Sequence, residues 1–194
     1  MYRARSRLTR PWVLGVLVAG LVAVAAGLYW FQPWQLWVDE TVQEGLPPAA
    51  AAPTSQTQSQ PQPAPQSPSP SPSPPPVARD VATGKLISHE HETSGTVRIV
   101  RAADGSLVLR VENLATSSGP DVHVWLSDAP VKSGKDGWDV FDDGKYLDAG
   151  KLKGNKGNQN YALPADVDLT VYRSVSIWCD RFNVSFGAAE LTTA

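Results

Sequence analysis

From Trp12 to Trp37 the sequence Trp-Val-Leu-Gly-Val-Leu-Val-Ala-Gly-Leu-Val-Ala-Val-Ala-Ala-Gly-Leu-Tyr-Trp-Phe-Gln-Pro-Trp-Gln-Leu-Trp carries no charge. Roughly 20 apolar residues cross a bilayer as a helix, and a lone stretch in lipid satisfies its own backbone polar groups only by coiling into one. The run therefore predicts one transmembrane helix over residues 12–37. Arg3, Arg5, Arg7 and Arg10 precede it, and Asp39, Glu40 and Glu44 follow it. By the positive-inside bias, residues 1–11 are a cytoplasmic basic N-terminus and the remainder lies outside. Tyr29, Trp30, Trp34 and Trp37 gather at the outer end, where amphipathic rings prefer the headgroup layer. Ala23-Val-Ala25 also offers the small-x-small pattern of a cleaved signal peptide. The apolar run continues past it into the aromatic cluster, which suits an anchor better. On either reading the C-terminal part is extracytoplasmic, and the anchor makes the chain a single-pass protein of the cell membrane.

A second composition begins just after this run. Residues 47–76 hold 12 of the 17 prolines and end in Ser67-Pro-Ser-Pro-Ser-Pro-Ser-Pro-Pro-Pro76. Such a segment buries too little apolar surface to order itself, and in polyproline II geometry it acts as a semi-rigid spacer. The expectation is a disordered Pro/Ser/Gln-rich linker over 38–79 that lifts a domain at 80–194 away from the membrane. A domain of that length can bury one core without disulfides. Four arginines against three acidic residues give +1 for residues 1–45, and 13 basic against 16 acidic residues give −3 for the rest. No basic patch recruits nucleic acid.

Beyond Thr83 the signals are those of strands. Thr96–Val100 and Leu107–Val111 alternate apolar and polar residues around the hairpin signal Asp104-Gly105. Asp121–Leu126, Leu169–Tyr172, Val175–Cys179 and Phe182–Phe186 continue the pattern, with turn chemistry at Ser118–Asp121, Asp142–Gly144, Lys153–Asn158 and Leu163–Asp166. No helical period lasts beyond two turns. The fold class is all-β, an antiparallel β-sandwich or barrel preceded by one transmembrane helix and a disordered linker. Val175, Ile177 and Cys179 share one parity while Phe182, Val184 and Phe186 take the other, so a bulge or bend is expected near Asp180-Arg181.

Four segments together resemble the DM13 domain family, the electron-transfer DM13 type. They are Gly84-Lys-Leu-Ile-Ser-His89, Gly119-Pro-Asp-Val-His-Val-Trp-Leu-Ser127, Leu152-Lys-Gly-Asn-Lys-Gly-Asn-Gln-Asn-Tyr161 and Val175-Ser-Ile-Trp-Cys-Asp-Arg-Phe-Asn-Val-Ser-Phe-Gly-Ala-Ala-Glu-Leu191. The resemblance implies an all-β, extracellular or membrane-tethered domain. It carries a redox role onto Cys179. Domains of this type accompany DOMON and cytochrome b561-type modules in larger proteins; here one spanning segment cannot supply a haem-bearing bundle, so electron transfer would need an external partner.

Cys179 is the sole cysteine. In an oxidising compartment it is buried and inert, paired with another molecule, or reactive, with Arg181 as the nearby cation to stabilise a thiolate. An intramolecular disulfide cycle is excluded. His89 and His91 share a face if their stretch is extended, and with His123 and Cys179 they form a candidate copper or haem set if the fold gathers them. The alternative is solvated or hydrogen-bonded imidazoles. His89 falls at the position the resemblance matches. Asp136, Asp139, Asp142, Asp143 and Asp148 crowd one loop without the spacing of a calcium loop, and turns explain them. No serine elbow, phosphate loop or paired catalytic carboxylates appear. The sequence thus points to a membrane-anchored redox or electron-transfer domain centred on Cys179, partnered by a redox protein. The alternative is a non-enzymatic adhesion module that binds an envelope polymer or another protein.

Overall fold

The structure is a computed structural model that describes residues 11–46 and 78–194. The basic N-terminus and the core of the Pro-rich segment lie outside the described residues. Helix α1 (Pro11–Phe31) opens on proline, whose fixed φ suits the first turn and whose missing N–H costs nothing there. At ~1.5 Å per residue its length matches a hydrocarbon core of ~30 Å. None of its residues is buried by protein, and it is long and apolar enough to cross a membrane. It ends where Gln32 turns left-handed (φ 43°) and Pro33 starts a 3-10 turn to Trp37.

The next residues are not linker. Thr41–Gln43 forms β1, a parallel edge strand on β8 (Lys156–Leu163), with Val42 opposite Gly157. Side chains reinforce it: Glu40 N–H donates to Asn155 Oδ1 (2.7 Å), Lys153 Nζ to Glu44 (2.8 Å) and Lys156 Nζ to Asp39 (2.6 Å). Glycine makes the approach possible. A Cβ on Gly157, where φ is +98°, would strike the Val42 carbonyl, and one on Gly154 would strike that of Glu40. The glycine-rich stretch expected as a turn is therefore partly a strand that receives β1. Residues 47–77 thus connect β1 to β2 (Arg79–Lys85) rather than α1 to the domain.

Two sheets make the expected sandwich. The remaining strands are β3 (Ile87–Ser88), β4 (Ser94–Arg101), β5 (Leu107–Ala115), β6 (Val122–Ser127), β7 (Tyr146–Lys151), β9 (Ser174–Cys179), β10 (Val184–Glu190) and β11 (Thr192–Thr193). The first sheet runs β1-β8-β5-β4-β2-β11 and the second β3-β10-β9-β6-β7. Apart from β1, every pairing is antiparallel. The β4–β5 hairpin closes at Gly105 (φ +87°), as Asp104-Gly105 predicts. Leu169–Tyr172, expected as a strand, is a turn. Asp168 explains it, since its carboxylate accepts from the Thr170 amide (2.9 Å) and hydroxyl (2.6 Å), and its carbonyl accepts from Val171 and Tyr172.

The main core lies between the sheets. There Val97, Ile99, Leu109 and Val111 of the first sheet meet Val124, Leu126, Val175 and Ile177 of the second. The outer face of the second sheet is also covered. The loop after β6 lays Ala129 and Phe141 over Trp125, Trp178 and Ala188, forming a second apolar cluster. Strand β9 is consequently buried on both faces over its whole length.

Candidate functional site at the β9–β10 hairpin

The bulge or bend expected near Asp180-Arg181 is a bend, the tight turn of a hairpin. Asp180–Asn183 reverses the chain, Asn183 takes φ 54°, and Val184 pairs with Cys179 so that both face the core. The bulge lies further on, between Ser185 and Gly187. Cys179 ends β9, flanked by Val122 of β6 and Val184 of β10. Its relative exposure is 0%. Burial pushes the thiol's pKa up, against weaker opposition from backbone groups of Phe182, Asp121 and Arg181. A thiolate is thus disfavoured in the closed fold. Arg181, expected as its stabilising cation, turns elsewhere: its guanidinium donates to the Trp30 carbonyl (2.5 Å) and lies 4.9 Å from the Trp30 ring centroid. Beside it Phe182 stacks on Phe31 at 6.0 Å. The turn next to the thiol therefore clasps the end of α1.

The three histidines do not converge. His89 is buried on the outer side of the second sheet, its Nε2 3.0 Å from the Lys132 carbonyl and its Nδ1 2.8 Å from Ser185 Oγ. A carbonyl only accepts, so Nε2 carries the proton of the neutral ring and Nδ1 accepts from Ser185. Ser176 Oγ in turn donates to Ser185 Oγ (2.9 Å). Desolvation lowers the His89 pKa, opposed by the Lys132 contact. His91 pairs with Glu90 (2.6 Å) and sets its ring edge-on to Phe186 at 4.1 Å. His123 lies between Asp148 (2.9 Å) and Asp121 (3.2 Å) on the exposed side of β6. Among the described residues no three His, Cys, Asp or Glu side chains gather as a metal site. The joint copper or haem set of His89, His91, His123 and Cys179 is therefore not assembled: each imidazole is held by its own partners. The loop aspartates do not gather either.

Sequence reasoning missed the aromatic stack behind the thiol. Trp178 follows the opposite face of β9 from Cys179 and stacks on Trp125 (5.0 Å, 22°), which stacks on the half-exposed Tyr146 (4.1 Å, 10°). Phe141 meets Trp178 edge-on at 6.3 Å and faces the His89 ring at 5.8 Å. The signal was present in Ser174, Ser176 and Trp178, which alternate with the core-facing Val175, Ile177 and Cys179. Small residues beside a tryptophan on the second face indicate a covered surface there.

A family model described as Electron transfer DM13 matches residues 85–191, a span that includes β4 to β10 and Cys179. No curated protein and no solved structure matches the chain.

Proposed function

The chain belongs to the electron transfer DM13 family, and from that membership we propose that it is a single-pass protein of the cell membrane whose extracytoplasmic domain exchanges electrons with a redox partner through Cys179. The family match carries the reading. It is supported by α1, by the arginines before the apolar run and the acids after it, and by the position of Cys179 one turn from the helix end. The N-terminus is then cytoplasmic.

With one thiol the chemistry passes through a partner. In a mixed disulfide, the Cys179 thiolate attacks a partner's disulfide sulfur, the partner's second sulfur leaves as a thiolate, and the Cys179 proton goes to solvent. Burial and the raised pKa mean that the Asp180–Asn183 turn has to open first. Complete burial favours the second reading, a non-enzymatic module that binds an envelope polymer or protein through its β surface. The rate of Cys179 labelling by a thiol reagent separates them. Under the redox reading, native labelling outpaces global unfolding, because only the turn opens. A rate equal to that of global unfolding makes Cys179 a packing residue and favours the binding module.

A further inference from the structure

Where α1 meets the domain, four separate segments line an apolar cavity of about 280 Å³. Phe31 and Pro33 contribute from the tether, Phe182 and Phe186 from the β9–β10 hairpin, and Pro120 from the loop before β6. Gly119 keeps it open, since a Cβ there would reach the Phe186 ring at 3.0 Å. One end is polar: Glu90 and His91, hydrogen-bonded to each other at 2.6 Å, both line it.

We propose that this cavity binds the ring of a quinone or quinol dissolved in the bilayer. Three observations favour that occupant. The cavity adjoins the end of a helix able to span the membrane, beside Trp30 and Trp34 at the level where aromatic rings settle in the interface. A ligand that partitions into lipid thus reaches it without crossing water. Its apolar walls are three phenyl rings and two prolines, with Gln32, Gln35 and Ser118 at their margin, and flat apolar walls suit a planar ring more than a polar headgroup. Its polar end pairs a carboxylate with an imidazole: a quinol hydroxyl can donate to the carboxylate, and Nδ1–H can donate to a quinone carbonyl when the ring is the imidazolium of an ion pair with Glu90, its Nε2 being already taken by that carboxylate. Apolar walls with a few converging polar groups are the usual make-up of a small-molecule site. The choice of a quinone over other planar amphiphiles rests on the electron-transfer reading; binding itself does not.

The test uses the full chain in phosphatidylcholine nanodiscs, an azido-quinone as photolabel and oxidised decylubiquinone as competitor, with no reductant present. The expected result is label on the Phe31–Pro33 or Phe182–Phe186 segment that decylubiquinone displaces saturably. Phe182→Ala removes a wall and His91→Ala the polar end. Each should raise the competitor concentration required by roughly tenfold, and circular dichroism and thermal melting should match the parent. Phe182 is 46% exposed, so its loss leaves the core filled. Label elsewhere, or competition unchanged in both variants, overturns the proposal. So does equal displacement by oleate, which would make the cavity a slot for an acyl chain. Because no electrons move in this assay, its failure leaves the Cys179 reading standing; failure of the Cys179 labelling test leaves ligand binding by the cavity standing and removes only the reason to prefer a quinone.

Discussion

Cys179 and His89 lie on opposite sides of the second sheet, and burial moves their pKa values in opposite directions. Each shift disfavours the charged form. For Cys179 the consequence is steric as well as electrostatic, because a more polar atom in its place would have no water to face. Cys179→Ser should cost about 1–3 kcal/mol of stability, read as a lower urea midpoint at unchanged slope. For His89 the sign follows from linkage. Its folded pKa lies below the unfolded value near 6.5, so at mildly acidic pH the unfolded chain binds more protons. The contribution is complete above about pH 6.5 and is lost as pH falls through the folded value. Thermal melts from pH 8 to pH 4.5 should therefore show a loss on the acid side that is smaller in His89→Gln. Parallel pH profiles for the two proteins would show that His89 does not titrate on unfolding.

Strand β1 has three residues and sits at a sheet edge, so its hold depends on its receiving surface. That surface is made by glycines. Gly157→Ala adds a Cβ against the Val42 carbonyl at φ +98°, a conformation L side chains rarely adopt. The substitution should destabilise the domain by about 1–3 kcal/mol and abolish hydrogen-exchange protection at the Glu44 amide, which donates to Asn158 O at 2.9 Å. Protection retained at Glu44 would mean that β1 docks without that clearance. The same contrast explains what could be read from the chain beforehand. Strands β4, β5, β6 and β9 are built on alternating apolar residues and were legible as such. Strand β1 was not, because Thr-Val-Gln carries no periodicity and owes its conformation to partners more than a hundred residues away. The Asp168 turn hid behind Leu169-Thr-Val-Tyr172, whose strand propensity yields to one carboxylate bonded to its own backbone. At the site, the burial of Cys179 was among the options the sequence left open. The destination of Arg181 was not legible, since it depends on where α1 ends.

With α1 in a bilayer, as proposed, the tether decides how far the domain stands from it. Nine residues separate Phe31 from Thr41. Even fully extended at ~3.3–3.6 Å each they reach only about 30 Å, and Pro33–Trp37 is coiled rather than extended. The contacts of Trp30 and Phe31 with Arg181 and Phe182 bring the hairpin to the helix end itself. Residues 47–77 lie outside this path, because β1 is anchored before they begin. Their task is to connect β1 to β2, which lie four strand spacings apart in the first sheet, or about 19 Å at ~4.8 Å each. Some eleven residues bridge that gap with slack. Deleting residues 52–71 should therefore leave the melting temperature within a few degrees and leave the height of the domain unchanged. Height can be read by energy transfer from a dye on Ser133→Cys, in a Cys179→Ser background, to an acceptor lipid in the nanodisc. A stalk in polyproline II geometry would shorten by several tens of Å on losing those residues, and transfer efficiency would rise sharply. Unchanged efficiency means the domain rides on the membrane surface, within reach of whatever the bilayer dissolves; a rise means that β1 releases in the native protein and the Pro-rich segment bears the load.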